Sequence, residues 1–271
     1  MLLSLKDLKG FTLGATDGDI GEVIDFYFDD EAWVIRYFIV DTGTWLSRRR
    51  VLISPQAIAS LDWRARRLSL AITQDQVKNS PEIDTDQPVS RQHEMQHLGY
   101  YGYPYYWGGA GLWPTGAYAG AGGFGLPGGE SGSRQVEEES ARAERALHED
   151  DDPHLRSCEA VVGYHIKATD GDVGHVESFL INQDTWAIQY LVINTSNWWV
   201  GHHVLIAPEW VDDVRWFDKT LSVDLDCASI KSSPAYESTA QLNREREQHL
   251  YDHHGRSGYW VNEAFIERVE T

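Results

Sequence analysis

The sharpest chemical signal in the sequence is His93-Glu94-Met95-Gln96-His97. Histidines four apart lie one helical turn from each other and can share a zinc ion, with the intervening glutamate as the general base of a hydrolase. The surroundings do not support that chemistry. The third ligand of one zinc-protease class would fall at Tyr103, and no Asp or Glu follows until Glu130, beyond a glycine-rich stretch. A polar helix with a solvated face is expected here instead, and a zinc hydrolase built on His93, Glu94 and His97 is kept only as an alternative. His249, His253 and His254 can share a helical face and hold a transition metal weakly, but they read as surface histidines. Asp17, Asp19, Asp170 and Asp172 lack the further alternating carboxylates of a calcium loop and read as turn residues. The sequence contains no nucleophile elbow, phosphate-cradling loop or dinucleotide fingerprint, so neither a catalytic residue nor a cofactor or metal is assigned.

A formal net charge of -19 repels phosphate backbones, which argues against nucleic acid as a partner. No run of apolar residues reaches the length of about 18 that a membrane span requires. A soluble cytoplasmic protein is expected, with no integral membrane segment, although peripheral association with a membrane complex is compatible with the sequence. Cys158 and Cys227 both fall in the second half and read as reduced thiols.

The elements that would position any site occur twice. At an offset of 153 residues, Gly10–Trp107 aligns without a gap on Gly163–Trp260, with 29 identities in 98 pairs. Each copy opens on a hairpin, Ala15-Thr16-Asp17-Gly18-Asp19 and Ala168-Thr169-Asp170-Gly171-Asp172, where glycine accepts the backbone that a tight turn needs. Trp33–Val40 and Trp186–Ile193 read as central strands. Val51-Leu52-Ile53 and Leu68-Ser69-Leu70 recur as Val204-Leu205-Ile206 and Leu221-Ser222-Val223 and add further strands. Thr73-Gln74-Asp75-Gln76 has the spacing of a capping box, and its short helix should stop before Pro81. A second polar helix around Arg91–His97, mirrored at Arg244–Gln248, leads into Tyr106-Trp107 and Tyr259-Trp260. These aromatics should fold back on the strands. The recurring pairs Arg91/Glu94 and Arg244/Glu247 are expected to pin that helix to its domain, because an ion pair within a helix contributes only about 0.2–0.5 kcal/mol.

Gly18-Asp19-Ile20-Gly21-Glu22-Val23-Ile24-Asp25, followed by Trp33–Asp41 and Val51–Pro55, resembles the PRC-barrel family, and the second copy repeats the pattern at Gly171–Gly174 and Trp186–Asn194. That family includes the cytoplasmic domain of the photosynthetic reaction-centre H subunit. The resemblance implies a mainly β chain of two small antiparallel β-barrels, each with a short C-terminal helical extension, and an interaction module without catalysis of its own. The expected domains are residues 1–107 and 155–271, joined by a linker at 108–154 that is first rich in Gly and Tyr and then acidic.

The leading functional expectation is a non-catalytic scaffold that binds protein partners, or itself as a dimer. Its candidate surface is the loop Trp45, Leu46, Arg48, Arg49 and Arg50, with the counterpart Trp198, Trp199, His202 and His203 predicted as a loop. An accessory factor like the H subunit, acting in electron or proton transfer, is the alternative implied by the resemblance. The arginines belong to the first copy only, which suggests that the two copies bind different partners.

Overall fold

The computed structural model describes residues 1–81, 91–106, 155–195 and 202–260, with the backbone alone for Arg91–His93. The expected linker at 108–154 lies outside these residues. The chain starts with strand β1 (Leu2–Ser4) and the helical turn α1 (Leu5–Leu8). The first copy then contributes β2 (Thr12–Gly14), β3 (Asp19–Asp29), β4 (Val34–Asp41), β5 (Arg50–Ile53), β6 (Ile58–Asp62) and β7 (Arg67–Leu70), followed by α2 (Gln74–Lys78) and α3 (Arg91–Tyr101). The second begins with β8 (Leu155–Ser157) and α4 (Cys158–Val161). It continues with β9 (His165–Ala168), β10 (Gly171–Asn182), β11 (Ile188–Asn194), β12 (His203–Ile206), β13 (Val211–Arg215) and β14 (Thr220–Val223), then α5 (Cys227–Lys231) and α6 (Arg244–His253).

Two seven-stranded sheets result. One has the order β5-β4-β3-β2-β7-β6 with β8 added on β3, and the other repeats it as β12-β11-β10-β9-β14-β13 with β1 added on β10. The expectation of purely antiparallel sheets is corrected at one ladder in each: β2 runs parallel to β7, and β9 to β14. A parallel pair needs a long crossover, and here the intervening strands of the sheet provide it. Each sheet must curl. A flat sheet would set β5 and β6 about 24 Å apart at ordinary strand spacing. They are joined by Ser54 and the single turn Pro55–Ala57, and five residue steps reach at most about 18 Å.

Local chemistry explains the turns. Asp17 Oδ1 accepts from the backbone N–H of Gln74 at 2.7 Å, and Asp170 Oδ1 from that of Cys227 at 2.7 Å, so the hairpin aspartate also caps the first helix after the sheet. The capping box at Thr73 is formed. Trp33 and Trp186 do not begin strands as expected. Both sit in left-handed backbone, φ 53° and 61°, within turns organised by Asp29 and Asn182, whose side chains accept two backbone N–H groups each.

The chain divides into two compact units whose membership differs from the contiguous domains expected. The first unit takes Met1, the described part of Asp7–Ala160, and Asn182–Ala187; the second takes Leu2–Lys6, Val161–Ile181 and the described residues from Ile188 on. The reason lies in the length of β3. The three residues of β2 cover its Asp19–Glu22 half, and β8 fills the rest of that edge by pairing Tyr27 with Ser157, Phe28 with Arg156 and Asp29 with Leu155. An edge left open there would be a template for another chain.

Gly21 and Gly174 mark where β3 and β10 press closest on their neighbours. A methyl group on Gly21 would stand 2.0 Å from the carbonyl oxygen of Asp41, and one on Gly174 2.3 Å from that of Asn194. Gly21→Ala is therefore expected to cost more than about 2 kcal/mol in urea denaturation. Gly43→Ala, at φ 59° with open space around it, should cost about 1 kcal/mol.

Candidate functional site

The helix carrying the histidine motif faces inward, which corrects the expectation of a solvated face. Glu94 and His97 are each 1% exposed. The Tyr106 hydroxyl donates to Glu94, and His97 Nε2 lies 2.9 Å from the carbonyl oxygen of Leu52 on β5. Tyr27, Tyr37, Ile39, Leu52, Leu98, Tyr106 and Leu155 form one buried cluster between helix, tail and sheet. Burial lowers the His97 imidazole to a pKa of about 4, against a smaller opposing effect of the Leu52 carbonyl. The nitrogen a zinc ion would need is thus turned to a backbone carbonyl, and the glutamate a water would need is held by a tyrosine. The side chain of His93 lies outside the described residues.

The second unit repeats the arrangement. Glu247 Oε1 accepts from Tyr190 on β11 at 2.9 Å and from Tyr259 in the tail at 2.8 Å, while Arg244 approaches its other oxygen at 3.3 Å. The Arg244 guanidinium also lies 4.3 Å from the centre of the Trp260 ring. In the first unit an arginine of the sheet faces the tail: buried Arg36 pairs with Asp29 at 3.3 Å and lies 3.7 Å over the Tyr106 ring. The expected pinning role thus holds for Arg244 and Glu247. The three C-terminal histidines do not converge. His249 is exposed, His253 meets the Ser229 carbonyl, and His254 lies tilted against buried Trp210 while reaching Ser229 and Ser233.

The predicted interaction loop of the first unit is a built structure. Gly43, Ser47 and Arg48 all have left-handed φ, at 59°, 53° and 57°. Arg48 N–H closes the loop on the Gly43 carbonyl at 2.6 Å, and the Thr42 backbone and hydroxyl both reach the Arg49 carbonyl. Non-glycine residues in this conformation persist only where surroundings enforce it, and such strain clusters at working surfaces. Trp45 is 37% exposed, with its indole N–H anchored on the Ile20 carbonyl. Arg48 and Arg50 are exposed, whereas Leu46 is half-buried. Arg49 does not join them: its guanidinium turns back to the Lys78 and Ser80 carbonyls at the end of α2, 3.1 and 2.7 Å away.

Of the counterpart loop, Trp198 and Trp199 lie outside the described residues. His202 is exposed, and its carbonyl accepts from Thr195 as that of Arg49 does from Thr42. His203 is corrected from loop to strand, as the first residue of β12. Its Nε2 meets Glu177 at 2.7 Å, Asn194 donates to the same carboxylate at 2.9 Å, and Lys6 reaches its other oxygen at 3.5 Å. Although partial burial works against it, these partners hold the Glu177 carboxyl below its ordinary pKa. Glu177 sits at the register shift between Val176 and Ser178, where a bulge re-aims its side chain, and the first copy has Ile24 there.

Two surface features escaped the sequence. Phe217, in the turn between β13 and β14, is 99% exposed. Its only trace in the sequence was Trp216-Phe217-Asp218-Lys219 standing where the first copy has Trp63-Arg64-Ala65-Arg66. A cavity of about 320 Å³ in the second unit is lined by Leu205, Pro234, Tyr236, Leu242, Arg246 and His249.

Each unit is thus a seven-stranded sheet capped by a helix, and among the described residues no three His, Cys, Asp or Glu side chains gather as a metal ion would require. Residues 2–72 match the model of the PRC-barrel domain. No curated protein matches the chain. No helix among the described residues is long and apolar enough to cross a membrane.

Burial of His97 has a consequence for stability. An unfolded imidazole titrates near 6.5 and the folded one near 4, so only the unfolded chain takes up this proton between those values. The contribution is complete above about pH 6.5 and is lost as the pH falls toward 4, by roughly 3 kcal/mol. Urea midpoints between pH 4 and 7 should show this loss, and His97→Leu, the residue present at 250, should flatten the slope by about one proton. Separately, Glu247→Leu should cost about 2–3 kcal/mol, because it strands the Tyr190 and Tyr259 hydroxyls. Adding Tyr190→Phe should recover part of that loss in a double-mutant cycle.

Proposed function

We propose that this chain is a non-catalytic tandem scaffold, in which the second unit is a further PRC-barrel domain and the first unit binds a protein partner through the loop around Trp45. The observation that carries this reading is the strained, hydrogen-bonded turn that holds Trp45 and Arg48 outward. A rigid aromatic beside an arginine is the composition of an interface hot spot, since little side-chain entropy is lost on docking. In a chain of net charge -19, the run Arg48-Arg49-Arg50 is a local exception, which suits an acidic protein surface.

The two units need not share a partner. Arg50 of the first unit is replaced by His203 in the second, where the adjoining Glu177 makes the surface mixed rather than basic. A zinc hydrolase has less support, because Glu94 and His97 are spent on Tyr106 and Leu52. A cytoplasmic setting fits the sequence and the absence of a long apolar helix among the described residues.

Affinity capture with the full chain tests the proposal. Trp45→Ala and Arg48→Glu should each reduce recovery of the same partner by about tenfold or more, with thermal midpoints unchanged. Undiminished recovery with both variants would remove this loop from the binding surface.

A further inference from the structure

The segments that complete the two sheets are alike in sequence. Leu2-Leu3-Ser4-Leu5-Lys6 and Leu155-Arg156-Ser157-Cys158-Glu159 lie at the same 153-residue offset as the repeat. Each could in principle complete either sheet, because each supplies Leu-x-Ser and then a buried side chain, Leu5 or Cys158. Yet each completes the sheet of the other copy: β1 pairs with β10, and β8 with β3.

We infer that the charges flanking these acceptor edges select this exchanged seating, so that Asp30 with Lys9 in the first unit and Glu177 in the second act as specificity-determining residues for the segment each edge accepts. In the first unit, Arg156 Nε lies 2.9 Å from Asp30 Oδ2, a pair largely buried at 14% and 12% exposure, and Glu159 meets Lys9 at 2.5 Å. The Ser157 hydroxyl and the Glu159 N–H both donate to Asp25, which fastens the start of α4. In the second unit, Lys6 meets Glu177 at 3.5 Å.

Reversing the seating changes every one of the charged pairs unfavourably, whereas the Ser4 hydroxyl and the Lys6 N–H would still serve Asp25. Leu3 would take the place of Arg156 opposite Asp30, and Lys6 that of Glu159 beside Lys9. Glu159 would replace Lys6 beside Glu177, carboxylate against carboxylate. The exposed pairs are individually weak, at about 0.2–1 kcal/mol. Selection depends on the difference between two seatings, however, and lost attraction and added repulsion both count in it. The largely buried Arg156–Asp30 pair is the heaviest contributor, since removal of one partner from a desolvated pair is strongly unfavourable.

The acceptors therefore discriminate by a simple rule. The edge of β3 takes Leu-x-Ser followed by an acid two residues on, with a base between Leu and Ser. The edge of β10 takes Leu-x-Ser followed by a base. A segment of another protein with either pattern could compete for the matching edge.

A disulfide reporter in the full chain tests this. Ser4 and Ser178 occupy the positions equivalent to Ser157 and Asp25, whose side chains are hydrogen-bonded in the first unit. Ser4→Cys with Ser178→Cys should therefore cross-link under mild oxidation, the linked peptides being identified by mass spectrometry. Exchanging the segment charges, through Leu3→Arg, Lys6→Glu, Arg156→Leu and Glu159→Lys, should lower that yield about fivefold or more. Adding the acceptor reversals Asp30→Gln, Gln183→Asp, Lys9→Glu and Glu177→Lys should restore at least half of it. A yield that ignores the segment charges overturns the inference, and so does a failure of the acceptor reversals to restore it, whether the altered chain is folded or not.

Discussion

A carboxylate withdrawn from water must be met by donors, and in this chain that requirement fixes what lies over each sheet. Glu94 and Glu247 are buried on the inner face of a helix whose composition is polar. Each draws in a tyrosine from a tail twelve residues away, Tyr106 or Tyr259, and in the second unit also Tyr190 from the sheet. An uncompensated carboxylate in such a place would be strongly unfavourable, so helix, tail and sheet have to assemble together. Aromatic burial then follows from the polar contact: the tyrosine rings that bring the hydroxyls also fill the layer between helix and sheet.

The two units solve the remaining packing problem differently at equivalent positions. Where the first copy has Ala57 and Tyr101, the second has Trp210 and His254, and the Trp210 ring lies against both Tyr251 and His254. A larger residue from the turn thus stands beside a smaller ring at the end of the helix. The same backbone thus holds two different interiors, while Gly21, Gly174, Asp17 and Asp170 serve the same geometric purpose in both.

Much of this was legible where the determinant is local. The Asp-Gly turns, the capping box at Thr73 and the strand at Val51–Ile53 each depend on neighbouring residues, and the repeat displays the turns and the strand twice. Non-local determinants were not. Nothing around Glu94 announces that its partner is Tyr106, so a polar helix read as a solvated one. Trp33 resembled the start of a strand because aromatic residues favour strands, but the side chain of Asp29 captures the preceding turn. Of the loop chosen for binding, Trp45 and Arg48 are presented outward, whereas Arg49 is used internally, a division that depends on carbonyls thirty residues away. The exchanged segments were illegible for a different reason. Both begin Leu-x-Ser, and their destination is written in Asp30, Lys9 and Glu177 rather than in the segments alone.

That exchange alters how the chain can be inherited. A duplicated domain is ordinarily free to lose one copy, to be shuffled into another gene, or to diverge at its own rate. Here each copy carries the finishing piece of its sibling, so a deletion that removes either half leaves the survivor with an uncovered edge on its longest strand. A substitution at Glu159 is judged by Lys9, and one at Lys6 by Glu177. Descendants of this gene should therefore keep or discard the pair as a whole, and sequence change should pass between the halves in matched steps.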